Sequence, residues 1–241
     1  MNFNRVFLTG DTHGDLSRFG VFTTNNKTTV GDLMIILGDA GLNYYLTKKD
    51  EKNKAKAASE YPMTFLCIHG NHEERPENIF TYELVDFAGG KAYRESKYPN
   101  IYFAKDGEVY DINGSKCLVL GGAYSVDKHY RLANGYNWFA SEQIPDSQKA
   151  VIEGQIDNIS WSVDYVFSHT CPYYTRPVHM FMTGIDNSTV DTSMEVWLQK
   201  IADKLSFKRW YFGHFHDEWD NGKYTMLYKE IIPLGTAVED D

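Results

Sequence analysis

The chain is poor in cysteine. Its 241 residues include three, Cys67, Cys117 and Cys171, with no paired spacing. That count excludes a disulfide framework, and the spacing excludes a structural zinc module, which needs cysteines at metal-binding intervals. Cys67 and Cys117 fall inside apolar runs, so they read as reduced, buried thiols of a cytoplasmic protein. No apolar run reaches 18 residues, and no signal-peptide core follows Met1-Asn2-Phe3-Asn4-Arg5. Membrane spanning and export are therefore not expected. Positive charge is short as well: 24 Lys and Arg stand against 33 Asp and Glu, a net charge of −9. A broad grip on nucleic-acid backbone needs a basic surface, so extended nucleic-acid binding is not expected. A small phosphorylated substrate stays compatible, because a bound cation reverses the local field. Internal repeats and low-complexity linkers are missing too, and 1–241 reads as a single domain.

What the chain does have is a series of short apolar strands that stop at glycine. Phe65-Leu66-Cys67-Ile68-His69 is one, and it runs into Gly70-Asn71-His72-Glu73. An apolar run of that length suits a strand buried on both faces. Gly70 is expected to let the chain turn sharply off the strand end. In an open α/β sheet, ligands sit at the carboxyl ends of strands, which is where Asn71 and His72 fall. Arg5 to Thr9 is a second strand, ending in Gly10-Asp11-Thr12-His13-Gly14-Asp15, with a short helix expected over Leu16 to Phe22. Taken alone, the Asp-x-His triplet also reads as an Asp-capped helix start with an incidental histidine. Leu33 to Leu37 is a third strand, ending in Gly38-Asp39. Thr47 to Glu60 reads as an exposed helix with a solvated basic face of Lys48, Lys49, Lys52, Lys54 and Lys56. Strands separated by helical or polar segments give the rhythm of a sheet with parallel pairs and helices on its faces.

Further along, Glu74 to Ala88 reads as a polar loop with some helical character. Ile101 to Phe103, Glu108 to Ile112 and Lys116 to Leu120 read as strands, the last two joined by the hairpin signal Asn113-Gly114. An antiparallel block makes the sheet system mixed. Gly121 to Arg131 leaves the sheet as a loop whose Lys128, His129 and Arg131 are candidates to face a phosphate. Asp146 to Asn158 is expected as a helix with Val151, Ile152, Ile156 and Ile159 as its core stripe. Tyr165 to Ser168 is a strand ending at His169. Tyr173 to Asn187 reads as a long loop carrying Tyr174, Arg176 and His179, and loops of that length are usually functional or mobile. Thr192-x-x-Glu195 reads as a capping box before a helix with Met194, Trp197, Leu198, Ile201 and Leu205 in the core. Arg209 to Phe212 is the last buried strand, ending at Gly213-His214-Phe215-His216, and Asn221-Gly222 closes a final hairpin.

Five strands thus end in ligand-type groups, and six of the eight histidines lie at those ends or beside them. Carboxylate, imidazole and amide oxygen without thiolate suit Mn, Fe, Ni or Zn ions with open chemistry rather than structural zinc. The donor count exceeds what one four-coordinate ion uses, and paired ions about 3.5–4 Å apart are typical of phosphatases and nucleases.

In order, Asp11-Thr12-His13, Gly38-Asp39, Gly70-Asn71-His72-Glu73, His169 and Gly213-His214-Phe215-His216 resemble the five blocks of the calcineurin-like metallophosphoesterases. The resemblance spans residues 11 to 216. It implies two mixed β-sheets packed face to face and flanked by helices, an α/β fold of αββα layers. It implies a dinuclear centre in which Asp11, His13 and His216 hold one ion, Asp39 bridges, and Asn71, His169 and His214 hold the other. Two divalent transition-metal ions, manganese first, would be the cofactors. His72 would protonate the leaving oxygen while a bridging water, acidified by the ions, attacks phosphorus. Asp15 or Glu73 would orient a histidine from behind. The substrate would be a phosphate ester, a phosphomonoester first, with nucleotide or nucleic-acid-end phosphodiesters as the alternative. A non-catalytic protein-binding scaffold of the same fold is the reading of another class, and no ligand is missing that would favour it. The protein phosphatases of the family continue their Gly-Asp block into an arginine that grips phosphate. Here Gly38-Asp39-Ala40-Gly41-Leu42-Asn43-Tyr44 has none. Arg75, Lys128, Arg131 and Arg176 are the candidates to take its place, and phosphoprotein as substrate is in doubt.

Overall fold

The computed structural model describes residues 2–181 and 189–238. The described strands form two sheets. In the first, three apolar strands run parallel in matched register: β1 (Val6–Thr9), β2 (Leu33–Ile36) and β3 (Thr64–Cys67). β3 pairs in parallel with β6 (Ile101–Ala104). Antiparallel β5 (Gly90–Arg94) and β4 (Glu83–Phe87) complete that side, and β13 (Ile232–Pro233) runs antiparallel on the free side of β1. The second sheet has the order β11 (Trp219–Asp220), β12 (Tyr224–Met226), β10 (Arg209–Phe212), β9 (Tyr165–Ser168), β8 (Ser115–Leu120) and β7 (Val109–Ile112). Strands β8, β9, β10 and β12 are parallel, and both sheets are mixed.

The period of two in a strand decides the layers. Leu8, Ile35 and Leu66 face Val119, Phe167 and Tyr211 in the core between the sheets. Their chain neighbours Phe7, Met34 and Phe65 point the other way, onto Phe19 of α1 (Ser17–Asn26) and Ala57 of α2 (Lys48–Glu60). On the far side, Leu118, Val166 and Trp210 pack on Ile152 of α4 (Asp146–Asn158) and Leu198 of α5 (Ser193–Ala202). Strands covered on both faces need apolar residues at every position, which is why they read as unbroken runs. The four layers are helix, sheet, sheet, helix, as expected from the resemblance. All three cysteines are buried and free.

Several expectations are corrected. The stretch from Glu74 holds a 3-10 turn (Pro76–Asn78) and then β4, with β5 after it. β4 is an edge strand in which Phe87 alone is buried, so it carries no apolar alternation to read. Lys54 does not belong to a solvated face: it is buried, with Nζ 2.6 Å from Glu95 Oε2. Val151 is exposed, and the buried stripe of α4 is Lys149, Ile152 and Ile156. Lys128 to Arg131 lie on a helix, α3 (Lys128–Asn134), rather than a loop. Thr192 precedes α5 without a side-chain cap bond. Ser193 N–H is taken instead by Asp191 Oδ1, and Glu195 turns inward to accept from Thr170 Oγ1 (2.8 Å). Within the expected loop 173–187, Tyr173–Thr175 and Val178–Met180 form 3-10 turns, and residues 182–187 lie outside the described residues. The hairpin at Asn113-Gly114 is present, both residues having positive φ (53° and 82°).

Candidate metal centre

The ligand-type residues all follow carboxyl ends of parallel strands: β1, β2 and β3 in one sheet, β9 and β10 in the other. The loops then bind each other. Thr12 and His13 N–H both donate to the Asp39 carbonyl oxygen (3.2 and 2.7 Å), and Gly14 N–H donates to that of Ala40 (3.0 Å). Asp11 Oδ1 accepts from His214 N–H (2.9 Å), and Asp39 Oδ1 accepts from His72 N–H (2.8 Å). Each carboxylate therefore spends one oxygen on the main chain of a later motif and turns the other toward the histidines. Asp11 Oδ2 lies 3.2 Å from His216 Nε2 and 3.7 Å from His13 Nε2. Asp39 Oδ2 lies 3.8 Å from His13 Nδ1 and 3.7 Å from His169 Nε2.

Two sets of ligand atoms each gather within 4.8 Å: Asp11, His13 and His216, and Asp11, Asp39 and His169. Asp11 belongs to both sets, and Asp39 reaches residues of both. Asn71 Oδ1 is 2.8 Å from His169 Nε2, and the His214 ring lies 5.0 Å from that of His169. All seven residues expected as ligands are thus brought together.

The close approach has a cost in backbone conformation. His13, Asp39, His214 and His216 all have positive φ, between 47° and 71°, a region that side chains with a Cβ rarely occupy. Strain of this kind concentrates where surrounding structure enforces a working geometry. Gly70, expected to supply a sharp turn, does not have positive φ. Its need is space: a Cβ there would sit 2.0 Å from Asp39 Oδ1. Gly38 is required on both counts, with φ of 100° and a would-be Cβ 2.0 Å from His169 Nδ1.

The donor set fits cations. His169 Nδ1–H donates to the Leu37 carbonyl oxygen (2.8 Å), since a carbonyl only accepts. In the neutral ring, Nε2 then has a lone pair that faces the Asn71 amide oxygen. Asn71 is oriented by its own Nδ2, which donates to Ser125 Oγ (2.9 Å). His13 Nε2 and His216 Nε2 meet at 2.9 Å, and the buried Asp11 Oδ2 lies beside both. Imidazole nitrogens, carboxylates and an amide oxygen gathered at such distances, with no thiolate, are the makings of a transition-metal site. Burial pushes His214 down to about 3, so it is neutral and ready to ligate at pH 7. Burial works against the Asp11 carboxylate, but His169 and His216 outweigh it and hold the group below the usual range. His216 is raised, chiefly by its bond to Asp11.

His72 stands at the edge of the cluster, its ring 5.8 Å from that of His13. Burial lowers its pKa, with Asp39 pulling the other way. Beside it opens a cavity of about 600 Å³, its floor including Asp39, Asn71, His72, His214 and His216. Val126, Met180, Phe181 and Phe215 give the cavity apolar lining.

The four candidate phosphate-binding cations part company. Arg75 is buried and held by Asp106 Oδ2 (2.5 Å) and the Ser141 carbonyl oxygen (2.7 Å), so it is a structural ion pair rather than a lining residue. Lys128 Nζ sits 3.9 Å from the centre of the Trp138 ring. Arg176 lines the cavity with its guanidinium over the Tyr173 ring. Arg131 alone touches a centre residue, with Nη2 3.2 Å from His72 Nε2. Neither Asp15 nor Glu73 orients a histidine: Asp15 accepts from Ser17 N–H, and Glu73 from Gly70 N–H. Burial and the nearby Asp39 charge push Glu73 up to about 8, so it is protonated at neutral pH.

The supporting residues left no mark in the sequence reading. Arg18 donates Nη2 to the Asp11 carbonyl oxygen and Nη1 to Thr9 Oγ1 (both 2.9 Å), and Tyr228 stacks on His216 at 4.6 Å. With Ser125, whose hydroxyl holds the Asn71 amide, they steady the candidate ligands through single hydrogen bonds and ring contacts, which have no spacing rule.

Residues 4–218 match the family profile described as calcineurin-like phosphoesterase. That match covers most of the chain, and the protein belongs to this family of metal-dependent phosphoester hydrolases. A solved structure of phosphopantetheinyl hydrolase from Mycobacterium tuberculosis is similar at 13% identity, covering 93% of this chain and 90% of that one with a TM-score of 0.47. No curated protein matches the chain.

Proposed function

We propose that this centre hydrolyses phosphomonoesters with two divalent transition-metal ions, manganese first. The observation that supports the reading is the gathering of metal-ligating atoms, His13 Nε2 against His216 Nε2 and His169 Nε2 against Asn71 Oδ1, around two carboxylates. Asp11, His13 and His216 would hold one ion, and Asn71, His169 and His214 the other, with Asp39 shared. Bound there, such ions neutralise phosphate charge and lower the pKa of a coordinated water. The chain does the rest. Leu37 fixes the His169 tautomer and Ser125 fixes the Asn71 amide, so both ligands present the right atom without reorganising. His72, pinned through its main chain to Asp39, stands where it can donate a proton to the leaving oxygen. A cavity of about 600 Å³ suits a small ester rather than a polymer.

The test is hydrolysis of p-nitrophenyl phosphate and its bis-ester by purified protein with added Mn²⁺, stopped by chelator. His72→Ala is expected to keep its metal and lose roughly 10²–10⁴ in rate on esters with poor leaving groups. Asp39→Asn is expected to lose metal and turnover together; a variant with both intact sinks the assignment.

A further inference from the structure

α3 has no buried residue, yet it sends one side chain across to the centre. Arg131 Nε donates to Asp127 Oδ2 (2.7 Å), and Nη1 reaches the Tyr44 hydroxyl (3.2 Å) and the Asn137 carbonyl oxygen (3.4 Å). The remaining arm, Nη2, points at His72 Nε2 (3.2 Å). Asp127 and Tyr44 thus hold a planar fork in one orientation, and its free arm meets only an imidazole nitrogen, which carries no negative charge. A phosphate oxygen is the stronger partner, because a hydrogen bond between two charged groups is shorter and stronger than one to a neutral acceptor. The same N–H cannot serve both.

We propose that Arg131 grips the substrate phosphoryl group, exchanging His72 for a phosphate oxygen, and that this contact selects monoesters over diesters. The inference rests on the phosphoesterase reading of the centre above. A monoester dianion offers a third free oxygen and a second negative charge to the fork. In a diester that position carries an alkoxy carbon, which accepts nothing and crowds a guanidinium that Asp127 and Tyr44 keep from retreating. Arg131 thereby supplies what the Gly38-Asp39-Ala40-Gly41 block lacks. Of the other cations considered, Arg75 is bound to Asp106, Lys128 lies on Trp138, and Arg176 lines the cavity but, among the described residues, rests on Tyr173 and touches no residue of the centre.

Metal-loaded wild type, Arg131→Ala and Arg131→Lys are compared on p-nitrophenyl phosphate and bis-p-nitrophenyl phosphate, and each is titrated calorimetrically with inorganic phosphate. In Arg131→Ala the monoester-to-diester ratio of kcat/KM is expected to fall about 10- to 100-fold, mainly through the monoester KM, the scale of one lost bond to a charged group. Phosphate affinity is expected to fall by a similar factor. Arg131→Lys restores part of both, since it keeps the charge and loses the fork, and it carries the test should Arg131→Ala fail to fold. Tyr44→Phe, which only loosens the fork, shifts both less and in the same direction. An unchanged ratio with unchanged phosphate affinity overturns the proposal. Wild-type turnover judges the hydrolase reading separately; the phosphate titration judges Arg131 whether or not either ester turns over.

Discussion

Asp11 and Asp39 solve one problem twice. A carboxylate that must meet a cation has to be aimed, and each is aimed by giving Oδ1 to a main-chain N–H from a motif far along the chain. Asn71 is aimed by the Ser125 hydroxyl. Removing that hydroxyl leaves the amide free to rotate, so Ser125→Ala is expected to weaken metal binding by about 10-fold, the low end for loss of a ligand's supporting hydrogen bond. Titration with Mn²⁺ checks it, and unchanged affinity would show that the amide needs no such support. Gly70→Ala places a Cβ against Asp39 Oδ1 and is expected to abolish metal binding even though the residue touches no ion. At this scale the residues that gather at the centre were legible and their supports were not. Side chains such as Asp11, His13 and His216 declare their chemistry by type and by place at a strand end. Ser125, Arg18 and the Leu37 carbonyl act through single hydrogen bonds to groups distant in sequence.

Among elements, strands buried on both faces were readable because burial forces apolar residues at every position. β4 was not, being an edge strand that exposes Glu83 and Leu84, and neither was β13, with its two residues. Helix α2 was readable in extent but not in orientation, since Lys54 leaves its basic surroundings to pair with Glu95 beneath the helix. A buried pair is costly to break from one side. Lys54→Met is expected to destabilise the protein by about 3–5 kcal/mol, and adding Glu95→Leu to recover much of it; urea denaturation of the single and double variants measures both. β1 and β2 are also joined at their starts by Arg5, whose Nε and Nη2 donate to the two oxygens of Asp32 (both 2.9 Å). That bond, working against some burial, holds the Asp32 carboxyl below its ordinary value. A depressed folded-state pKa contributes stability above the unfolded value, and the contribution is lost as pH falls through the folded one. Asp32→Asn is therefore expected to be destabilising at pH 7 and closer to wild type at pH 3. A gap that widened on acidification would contradict the assignment.

Across the whole molecule, the two sheets share no strand, and their joint products are the core between them and the centre at their carboxyl ends. Asp11, His13, Asp39 and Asn71 come from one sheet, His169, His214 and His216 from the other. The order of five motifs pointed to such a centre; that Arg131 reaches His72 depended on how α3 folds back, and nothing local encodes that. Ions held between the sheets would bind the folded chain and not the unfolded one, and so would act as a clamp. A site occupied at 100 times its Kd adds about 2.7 kcal/mol. For a chain of this size each kcal/mol is worth roughly 2–4 °C in Tm, so each ion is expected to raise Tm by about 5–10 °C. Bringing ions into a chain of net charge −9 also relieves repulsion among its carboxylates. Thermal scans with chelator and with Mn²⁺ should show that rise in wild type, and a reduced one in Asp39→Asn and in His214→Ala, which remove ligands from opposite sheets. If loss of a ligand from only one sheet blunted the rise, the cations would be bound to that sheet alone and could not be what joins the two.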